Sequence, residues 1–141
     1  MDDLTPQIPE KSKVVNLLKD ADITPTQQRI EIAQILFAQP QHLSAEQVLS
    51  QVNRDQALVS KATVYNTLGL FAGKGLIREV IIDPNKVFYD SNTTSHHHFF
   101  NIDTGMLKDI DSDTVQIAHL PDLPEGTVAD GVDIIIRLRN T

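Results

Sequence analysis

Apolar residues in the first half of the chain recur every three or four positions, which is the spacing of an amphipathic helix. The pattern predicts one helix over about residues 11–21 and a second helix that ends before Pro40. For the second helix we expect Thr24 as the N-cap, Pro25 as the first helical residue and Gln27 as the capping-box partner. The first 40 residues are therefore predicted to form a helical pair.

Two further helices are predicted from the residues that start them. Ser44 and Gln47 form a capping-box pattern, and Ser60 is a natural N-cap. After Ser60, apolar residues at positions i, i+4, i+7 and i+8 form one stripe, which predicts a buried helix face. These residues are Val64, Leu68, Phe71 and Ala72. Gly73 and Gly75 are expected to end this fourth helix.

Beyond the fourth helix the pattern changes to short β-strands. Strands are predicted at residues 76–83, 86–90, 96–102, 106–110 and 132–139. Three or four helices followed directly by a hairpin is the order of a winged helix-turn-helix.

The predicted fold class is therefore α+β, in two domains. Residues 1–91 are expected to form an N-terminal winged helix-turn-helix domain that binds DNA. Residues 92–141 are expected to form a small α/β or mostly β domain. Its last strand has an Ile-Ile-Ile centre, and a long apolar strand needs cover, so this domain is predicted to form a homodimer.

Composition narrows the function classes. The 141 residues include no cysteine, which excludes disulfides, thiolate zinc sites, cysteine nucleophiles and thiolate-ligated haem. No apolar run approaches the roughly 20 residues that cross a bilayer, and no apolar leader is seen, so we expect a cytoplasmic protein without a membrane partner. No general base stands out, so an enzyme is not expected; a small His/Asp iron enzyme is the alternative.

Charge is distributed unevenly along the chain. Residues 1–80 carry 8 basic and 9 acidic residues, whereas residues 81–141 carry 4 and 10. A nearly neutral first half and an acidic second half suggest that one part binds DNA and the other binds cations. The alternative is that the acidic residues only keep the protein soluble.

The fourth helix is the candidate DNA-reading element. When its apolar stripe faces inward, polar residues remain for its outer surfaces, and such groups contact phosphates and base edges in a major groove. These residues are Lys61, Thr63, Tyr65, Asn66 and Thr67. A solvated polar helix face is the alternative interpretation. Arg29 is a further candidate phosphate contact.

Three consecutive histidines carry the main chemical signal. On a strand, His96 and His98 share one face, roughly 6.7 Å apart, while His97 faces the other way. Two imidazoles at this spacing can meet at one metal ion, and Asp90, at the end of the preceding predicted strand, adds an oxygen donor. The alternatives are a polar strand end and an adventitious metal binder.

The hairpin after the triplet supplies further acidic residues. If residues 104–105 form a two-residue turn, Asp109 lies opposite Phe100 and diagonal to His98. In that register Asp111 faces His98 itself. Nitrogen and oxygen ligands without sulfur favour iron, manganese or zinc.

Several segments resemble the ferric uptake regulator family. Residues 60–68, Ser-Lys-Ala-Thr-Val-Tyr-Asn-Thr-Leu, resemble its recognition helix, and residues 42–46 and 26–29 resemble segments of its earlier helices. The resemblance covers about residues 14–110 and implies a dimeric transcription regulator that binds pseudo-palindromic double-stranded DNA. It implies that Tyr65 touches bases, and that the contact or positioning residues are Arg29, Ser60, Thr63 and Asn66.

The resemblance extends to the regulatory metal site of the peroxide-responsive members of that family. The matching residues are His42, Asp90, His96, His98 and Asp109. In those members the site bridges the DNA-binding and dimerisation domains. A bound divalent ion is therefore expected to fix the relative orientation of the two domains, which is a two-state switch.

Three further features resemble the iron response regulator (Irr) branch. They are the His-His-His-Phe-Phe run, the tail over residues 120–139, and the absence of paired Cys-x-x-Cys zinc sites, where Asn101 and Thr104 stand at the first pair of positions. The branch implies haem as a regulatory ligand that weakens binding to operators of iron and haem genes. The haem-ligand candidates are His96, His97, His98 and His119. The alternative is a peroxide- or metal-sensing repressor that uses the His/Asp site.

Overall fold

The computed structural model describes residues 8–55, 59–94 and 96–141. The chain divides into two compact units, Met1–Thr93 and Thr94–Thr141. The division lies two residues beyond the boundary that the sequence predicts, between residues 91 and 92. Within the described ranges, no helix is long and apolar enough to cross a membrane.

The described part of the first unit contains four helices and a three-stranded antiparallel sheet. The helices are α1 (Lys11–Asp20), α2 (Gln27–Leu36), α3 (Ala45–Val52) and α4 (Lys61–Gly73). The strands are β1 (His42–Ser44), β2 (Arg78–Asp83) and β3 (Lys86–Asp90), in the order β1-β3-β2. This confirms the predicted winged-helix order. Strand β1 was not predicted, because three residues are too few to show alternation.

Helix α4 turns its apolar stripe into the core of the first unit. Val64, Leu68 and Phe71 are fully buried, as predicted, and Ala72 is half-buried. Burial of each large apolar side chain contributes about 1.5–3 kcal/mol. Thr67 is only 5% exposed, so the prediction that it faces outward is wrong. Its position three residues after Val64 places it on the same face of the helix.

The predicted caps of α3 and α4 are confirmed. The Ser44 hydroxyl accepts a hydrogen bond from the Gln47 N–H at 3.2 Å, and the Gln47 side chain accepts one from the Ser44 N–H at 2.8 Å. The Ser60 hydroxyl accepts a hydrogen bond from the Thr63 N–H at 3.1 Å. Each cap satisfies backbone donors that have no partner within the helix.

The start of α2 differs from the prediction. Its N-cap is Thr26, whose hydroxyl accepts a hydrogen bond from the Arg29 N–H at 3.3 Å. Thr24 is not the cap; its carbonyl accepts a hydrogen bond from Nη1 of Arg29 at 2.9 Å. Pro25 therefore precedes the helix instead of opening it. Two threonines flank this proline, and only the one with its hydroxyl near the first free N–H groups can cap.

The second unit is built around a three-stranded sheet. Its strands are β4 (His97–Asn101), β5 (Leu107–Ile110) and β6 (Ile135–Leu138), and a short 3-10 turn follows β5 at Ser112–Thr114. Strand β4 is central, antiparallel to β5 and parallel to β6. The last strand is shorter than the predicted one, and its Ile136 and Leu138 side chains remain 40% and 38% exposed.

The turn between β4 and β5 is longer than predicted. The Gly105 N–H donates to the Asn101 carbonyl at 2.8 Å, and the Asn101 N–H donates to the Met106 carbonyl at 3.0 Å. The Asn101 side chain also accepts hydrogen bonds from the N–H groups of Asp103 and Thr104, at 2.9 and 3.1 Å. Gly105 has a φ of +73°, which suits glycine. Residues 102–105 thus form the loop, instead of residues 104–105 alone.

The longer turn changes which residues lie opposite each other in the hairpin. Asp109 is the partner of His98, and Leu107 is the partner of Phe100. The predicted pairs, Asp109 with Phe100 and Asp111 with His98, are therefore wrong. Because the register moves by two residues, every side chain keeps its face of the sheet.

Candidate metal centre and nucleic-acid interface

In the first unit, β1 and β3 bring a histidine and an aspartate together. The strand register places His42 opposite Asp90, and Nε2 of His42 lies 3.0 Å from Oδ2 of Asp90. The Asp90 side chain is buried, and its Oδ1 accepts a hydrogen bond from the Asn92 N–H at 2.8 Å. A buried carboxylate needs such partners, because an uncompensated charge is costly to bury. The pair offers one nitrogen and one oxygen donor to a cation.

In the second unit, one carboxylate faces two imidazoles. Oδ1 of Asp109 lies 3.1 Å from Nε2 of His96 and 3.3 Å from Nε2 of His98. The two rings are 4.6 Å apart between centroids. Both histidines are buried, whereas the Asp109 side chain is 47% exposed. The pairing of His98 with Asp109 in the sheet, and the position of His96 immediately before β4, therefore bring two nitrogens and one oxygen close together.

The hydrogen bonding of His96 fixes which ring nitrogen can act as a ligand. Its Nδ1 lies 2.7 Å from the Thr94 carbonyl oxygen, which only accepts, so Nδ1 carries the hydrogen. In the neutral ring, Nε2 then presents a lone pair toward an oxygen of Asp109. Two such acceptors at 3.1 Å are stable next to each other only when a cation, either a proton or a metal ion, stands between them. A carbonyl behind the ring is also the usual orienting partner of a metal-bound histidine.

The spacing of these donors fits a divalent ion. Ligand atoms that each lie about 2.1 Å from one ion are about 3.0–3.4 Å apart in octahedral or tetrahedral geometry. The Asp109 contacts of 3.1 and 3.3 Å fall in that range, and the ligand atoms of His96, His98 and Asp109 all lie within 4.8 Å of one another. Imidazole and carboxylate ligands without sulfur suit iron, manganese or zinc.

The other two histidines of the second unit lie in different surroundings. His97 is buried, and its Nδ1 accepts a hydrogen bond from the Ile134 N–H at 3.1 Å, which ties β4 to the segment that leads into β6. His119 is exposed and lies outside the strands. The structure therefore separates the predicted haem ligands into the buried triplet and one exposed residue.

The outer surface of α4 carries most of the predicted DNA contacts. Tyr65 is 38% exposed, Lys61 and Asn66 are exposed, and Thr63 is half-buried. A shallow groove beside the helix is lined by Thr26, Gln28, Arg29, Thr63, Asn66 and Thr67. The groove brings Arg29 of α2 together with three residues of α4, which the sequence spacing alone does not show.

Ser60 and Arg29 each have a structural contact in addition to the predicted role. The Ser60 hydroxyl caps α4 and also donates to the Thr63 hydroxyl at 2.9 Å. The Arg29 guanidinium donates through Nη1 to the Thr24 carbonyl. Ser60 therefore acts first as the cap that positions α4, and the contact with Thr24 engages one of the five N–H groups of the Arg29 guanidinium.

Tyr65 makes a contact that the sequence does not predict. Its hydroxyl donates to Oε1 of Glu46, in the first turn of α3, at 2.6 Å. This hydrogen bond is the largest cause that lowers the pKa of Glu46 and raises the pKa of Tyr65. The Lys61 ammonium lies 5.7 Å from the centre of the Tyr65 ring. Glu46 thus belongs to the same surface as the predicted reading residues.

The model of the ferric uptake regulator family matches residues 20–121. The chain belongs to the ferric uptake regulator family. The match includes α4 and all five predicted metal ligands. Members of this family are metal-responsive transcription regulators and not enzymes.

The sequence identity between this chain and individual members of the ferric uptake regulator family is below 30% for the three proteins described next. The peroxide-responsive repressor PerR of Staphylococcus aureus strain Mu50 is 28% identical over 100 residues, which cover 71% of this chain and 68% of that protein. The ferric uptake regulator of Pseudomonas aeruginosa, solved with manganese, has a TM-score of 0.66 at 23% identity and covers 89% and 96% of the two chains. The Vibrio cholerae ferric uptake regulator has a TM-score of 0.69 at 22% identity, covering 89% and 98%. The two structures support the predicted α+β fold.

Membership confirms the predicted family, and the finer assignment to the Irr branch stays a prediction. Glu46 is the residue near the reading face that sequence reasoning missed. It lies 19 positions before Tyr65, and no local pattern connects two residues on different helices. Glu46 does lie in residues 42–46, a segment that resembles the family, and this resemblance was the one feature of the sequence that pointed to it.

Proposed function

We propose that this protein is a dimeric, DNA-binding repressor or activator whose operator affinity is set by a divalent ion held by His42, Asp90, His96, His98 and Asp109. The observation that carries the proposal is the pair of contacts from one Asp109 oxygen to Nε2 of His96 and His98. These contacts bring three of the five proposed donors together within the second unit.

The two donor sets favour one shared ion. The first unit offers two donors and the second offers three, so one ion held by both sets would have five protein ligands, closer to the six of octahedral manganese than either set alone. Only five residues separate Asp90 from His96 along the chain. An ion bound by ligands on both sides of this short connection would restrict how α4 is presented to DNA.

The DNA-binding part of the proposal rests on α4. Its exposed groups are suited to base edges and phosphates, and Arg29 adds a cation to the same groove. A twofold dimer, formed through β6, would present two copies of α4 to a pseudo-palindromic operator. The contact residues proposed are Arg29, Lys61, Thr63, Tyr65 and Asn66, with Ser60 as the helix cap.

Operator selection followed by gel shift tests the proposal. Full-length protein with Mn²⁺ is used to select from a pool of random duplex DNA, and affinity is then measured with Mn²⁺ and with chelator at one salt concentration. We expect an enriched pseudo-palindrome that binds at least about tenfold more tightly with Mn²⁺, a coupling of about 1.4 kcal/mol. Failure to enrich any sequence would refute DNA reading, and equal affinity without metal would refute the metal response.

Three variants test whether one ion is shared between the units. His42→Ala removes a donor of the first unit, His98→Ala removes one of the second, and His119→Ala is the matched control at an exposed histidine. We expect both donor variants to weaken Mn²⁺ binding, measured by calorimetry, and the control to leave it unchanged. Wild-type affinity in His42→Ala would restrict the site to the second unit.

A peroxide response is a second candidate, favoured by the similarity to the S. aureus protein that is named a peroxide-responsive repressor. The iron-loaded protein is treated with peroxide and examined by mass spectrometry. A gain of one oxygen atom on His42 or His96, together with loss of operator binding, supports this candidate. Unmodified histidines and unchanged operator affinity would contradict it.

A haem response at iron and haem genes is the third candidate, and it rests on the resemblance to the Irr branch. His96, His97 and His98 are 6%, 7% and 1% exposed, so haem ligation by the triplet requires the β4 segment to open. Exposed His119 could bind haem without such a change. Haem titration of His98→Ala and His119→Ala, followed by absorbance, separates the two. Haem that binds without lowering operator affinity would remove haem as the signal.

A further inference from the structure

The hydrogen bond between Tyr65 and Glu46 has a direction that the chemistry of the two groups decides. An ionised carboxylate has no hydrogen to give, so the phenol must be the donor in the 2.6 Å contact. The pKa of Glu46 is lowered, first by this hydrogen bond, and the pKa of Tyr65 is raised by it. At neutral pH the carboxyl group is therefore ionised and the phenol protonated.

A hydroxyl group has one hydrogen to donate, and Glu46 receives it. What Tyr65 still offers to a further partner is the lone pairs of its oxygen. In the major groove, the complementary groups are the N6 amino group of adenine and the N4 amino group of cytosine. Guanine N7 and O6 and thymine O4 present lone pairs, so each would meet the Tyr65 oxygen without a hydrogen between them.

We propose that Glu46 fixes the Tyr65 hydroxyl as a hydrogen-bond acceptor, so that Tyr65 selects an exocyclic amino group, of adenine or cytosine, in the major groove. The inference rests on the proposed function, in which Tyr65 faces DNA. In this proposal Glu46 is a positioning residue that acts on base specificity through Tyr65. The negative charge of Glu46 is itself unfavourable for binding to DNA phosphates.

The neighbouring charges agree with this role. Lys61, 5.7 Å from the centre of the Tyr65 ring, places a cation on the same surface as the Glu46 carboxylate. A negative group behind the phenol also strengthens its oxygen as an acceptor, because hydrogen bonds in a chain polarise one another. The same negative group repels the acceptor atoms of guanine and thymine, so rejection of the wrong base comes from the same pair of residues.

Single-atom changes in the operator test the proposal. The operator selected by full-length, Mn²⁺-loaded protein is resynthesised with one base changed in one half-site. Adenine is replaced by purine, which lacks the N6 amino group, and cytosine by 2-pyrimidinone, which lacks the N4 amino group. Thymine is replaced by uracil, which lacks the methyl group. Wild type, Tyr65→Phe, Glu46→Gln and the charge-matched control Glu10→Gln, at an exposed residue, are compared at one salt concentration.

At one position of the half-site, we expect loss of the amino group to weaken wild-type binding about fivefold, the effect of one net hydrogen bond. Tyr65→Phe should abolish that difference. Glu46→Gln should reduce it, because a glutamine amide can donate to the phenol oxygen and release the hydroxyl hydrogen. Glu10→Gln should retain it. A general folding defect would lower affinity for the changed and unchanged operators alike and leave their ratio unaltered.

Three results would overturn the inference while the proposed function stands. One is a selected operator in which no amino deletion has an effect that depends on Tyr65. Another is Tyr65-dependent sensitivity to the thymine methyl group alone. The third is a full amino-group preference in Glu46→Gln. If no operator is selected at all, the proposed function itself fails, which is a different outcome from these three.

Discussion

Replacing Asp109 with asparagine tests the candidate metal centre at its central contact. One oxygen of this residue lies 3.1 Å from Nε2 of His96 and 3.3 Å from Nε2 of His98. Asparagine keeps the size and one oxygen of the side chain but removes the negative charge. The perturbation therefore weakens the attraction for a cation without opening a cavity. The side chain is 47% exposed, so the metal-free protein should lose no more than about 1 kcal/mol of stability.

The magnitude follows from binding linkage. Loss of a group that orients the metal ligands typically lowers affinity about 10- to 100-fold, and we expect the same range when the Asp109 carboxylate becomes a neutral amide that keeps one oxygen. At a Mn²⁺ concentration about 100 times the wild-type Kd, binding stabilises the folded protein by about 2.7 kcal/mol. At the same concentration the variant would gain only about 0.4–1.4 kcal/mol. With about 3 °C of Tm per kcal/mol for a chain of this length, a Mn²⁺-induced rise of about 8 °C should fall to about 1–4 °C.

The assay is thermal unfolding with and without Mn²⁺, and the matched control is Asp111→Asn. Asp111 is an exposed acid two residues along the chain, and its replacement changes the net charge equally. We expect Asp111→Asn to keep the wild-type Mn²⁺ shift within about 1 °C. Equal losses in the two variants would show that the carboxylates act only through net charge. An unchanged shift in Asp109→Asn would remove Asp109 from the ligands.

Three further predictions concern stability and titration. Ser44→Ala should lower the free energy of unfolding by about 1 kcal/mol in urea denaturation, because the Gln47 N–H loses its cap; an unchanged midpoint would contradict this. Asn101→Ala should lower it by about 1–2 kcal/mol, since two backbone N–H groups lose their acceptor, and an unchanged Tm would argue against the observed turn. The Tyr65–Glu46 hydrogen bond is charge-assisted only while Glu46 is ionised and Tyr65 is protonated. Its additional contribution to stability is therefore lost as pH falls through the lowered pKa of Glu46 or rises through the raised pKa of Tyr65. Glu46→Gln should therefore lower the pKa of Tyr65 in an ultraviolet titration, and an unshifted phenol would refute the contact.

Local signals in the sequence predicted those elements that depend on neighbouring residues. The caps at Ser44 and Ser60 use partners three positions away, and the stripe of α4 repeats within one helix. The start of α2 was misplaced because two threonines flank one proline, and both satisfy the same local rule. Which of them caps depends on the path of the chain before the helix, since the Thr24 carbonyl is engaged by Arg29.

Contacts between distant residues were predictable only where topology was already known. The prediction that His98 and Asp109 lie on the same face of the sheet was correct, because a register shift of two residues leaves each side chain on its original face. Their direct pairing was missed, because the Asn101 side chain closes a longer turn than the Thr-Gly sequence suggests. The contact between Tyr65 and Glu46 had no local pattern, since it joins two helices whose relative placement comes from the packed core.

The three consecutive histidines at the start of the central strand β4 make different contacts. His98 lies opposite Asp109 on β5 and beside Ile135 on β6, so a single residue touches both neighbouring strands through its backbone. His96 and His98 contact Asp109, whereas His97 accepts the Ile134 N–H. Because successive side chains alternate along a strand, three consecutive histidines supply two candidate metal ligands and one anchor for the final strand. An ion bound by Asp109 and His98 would contact β4, and β4 also pairs with β6. Metal binding and the proposed dimer contact would therefore involve neighbouring strands of one sheet.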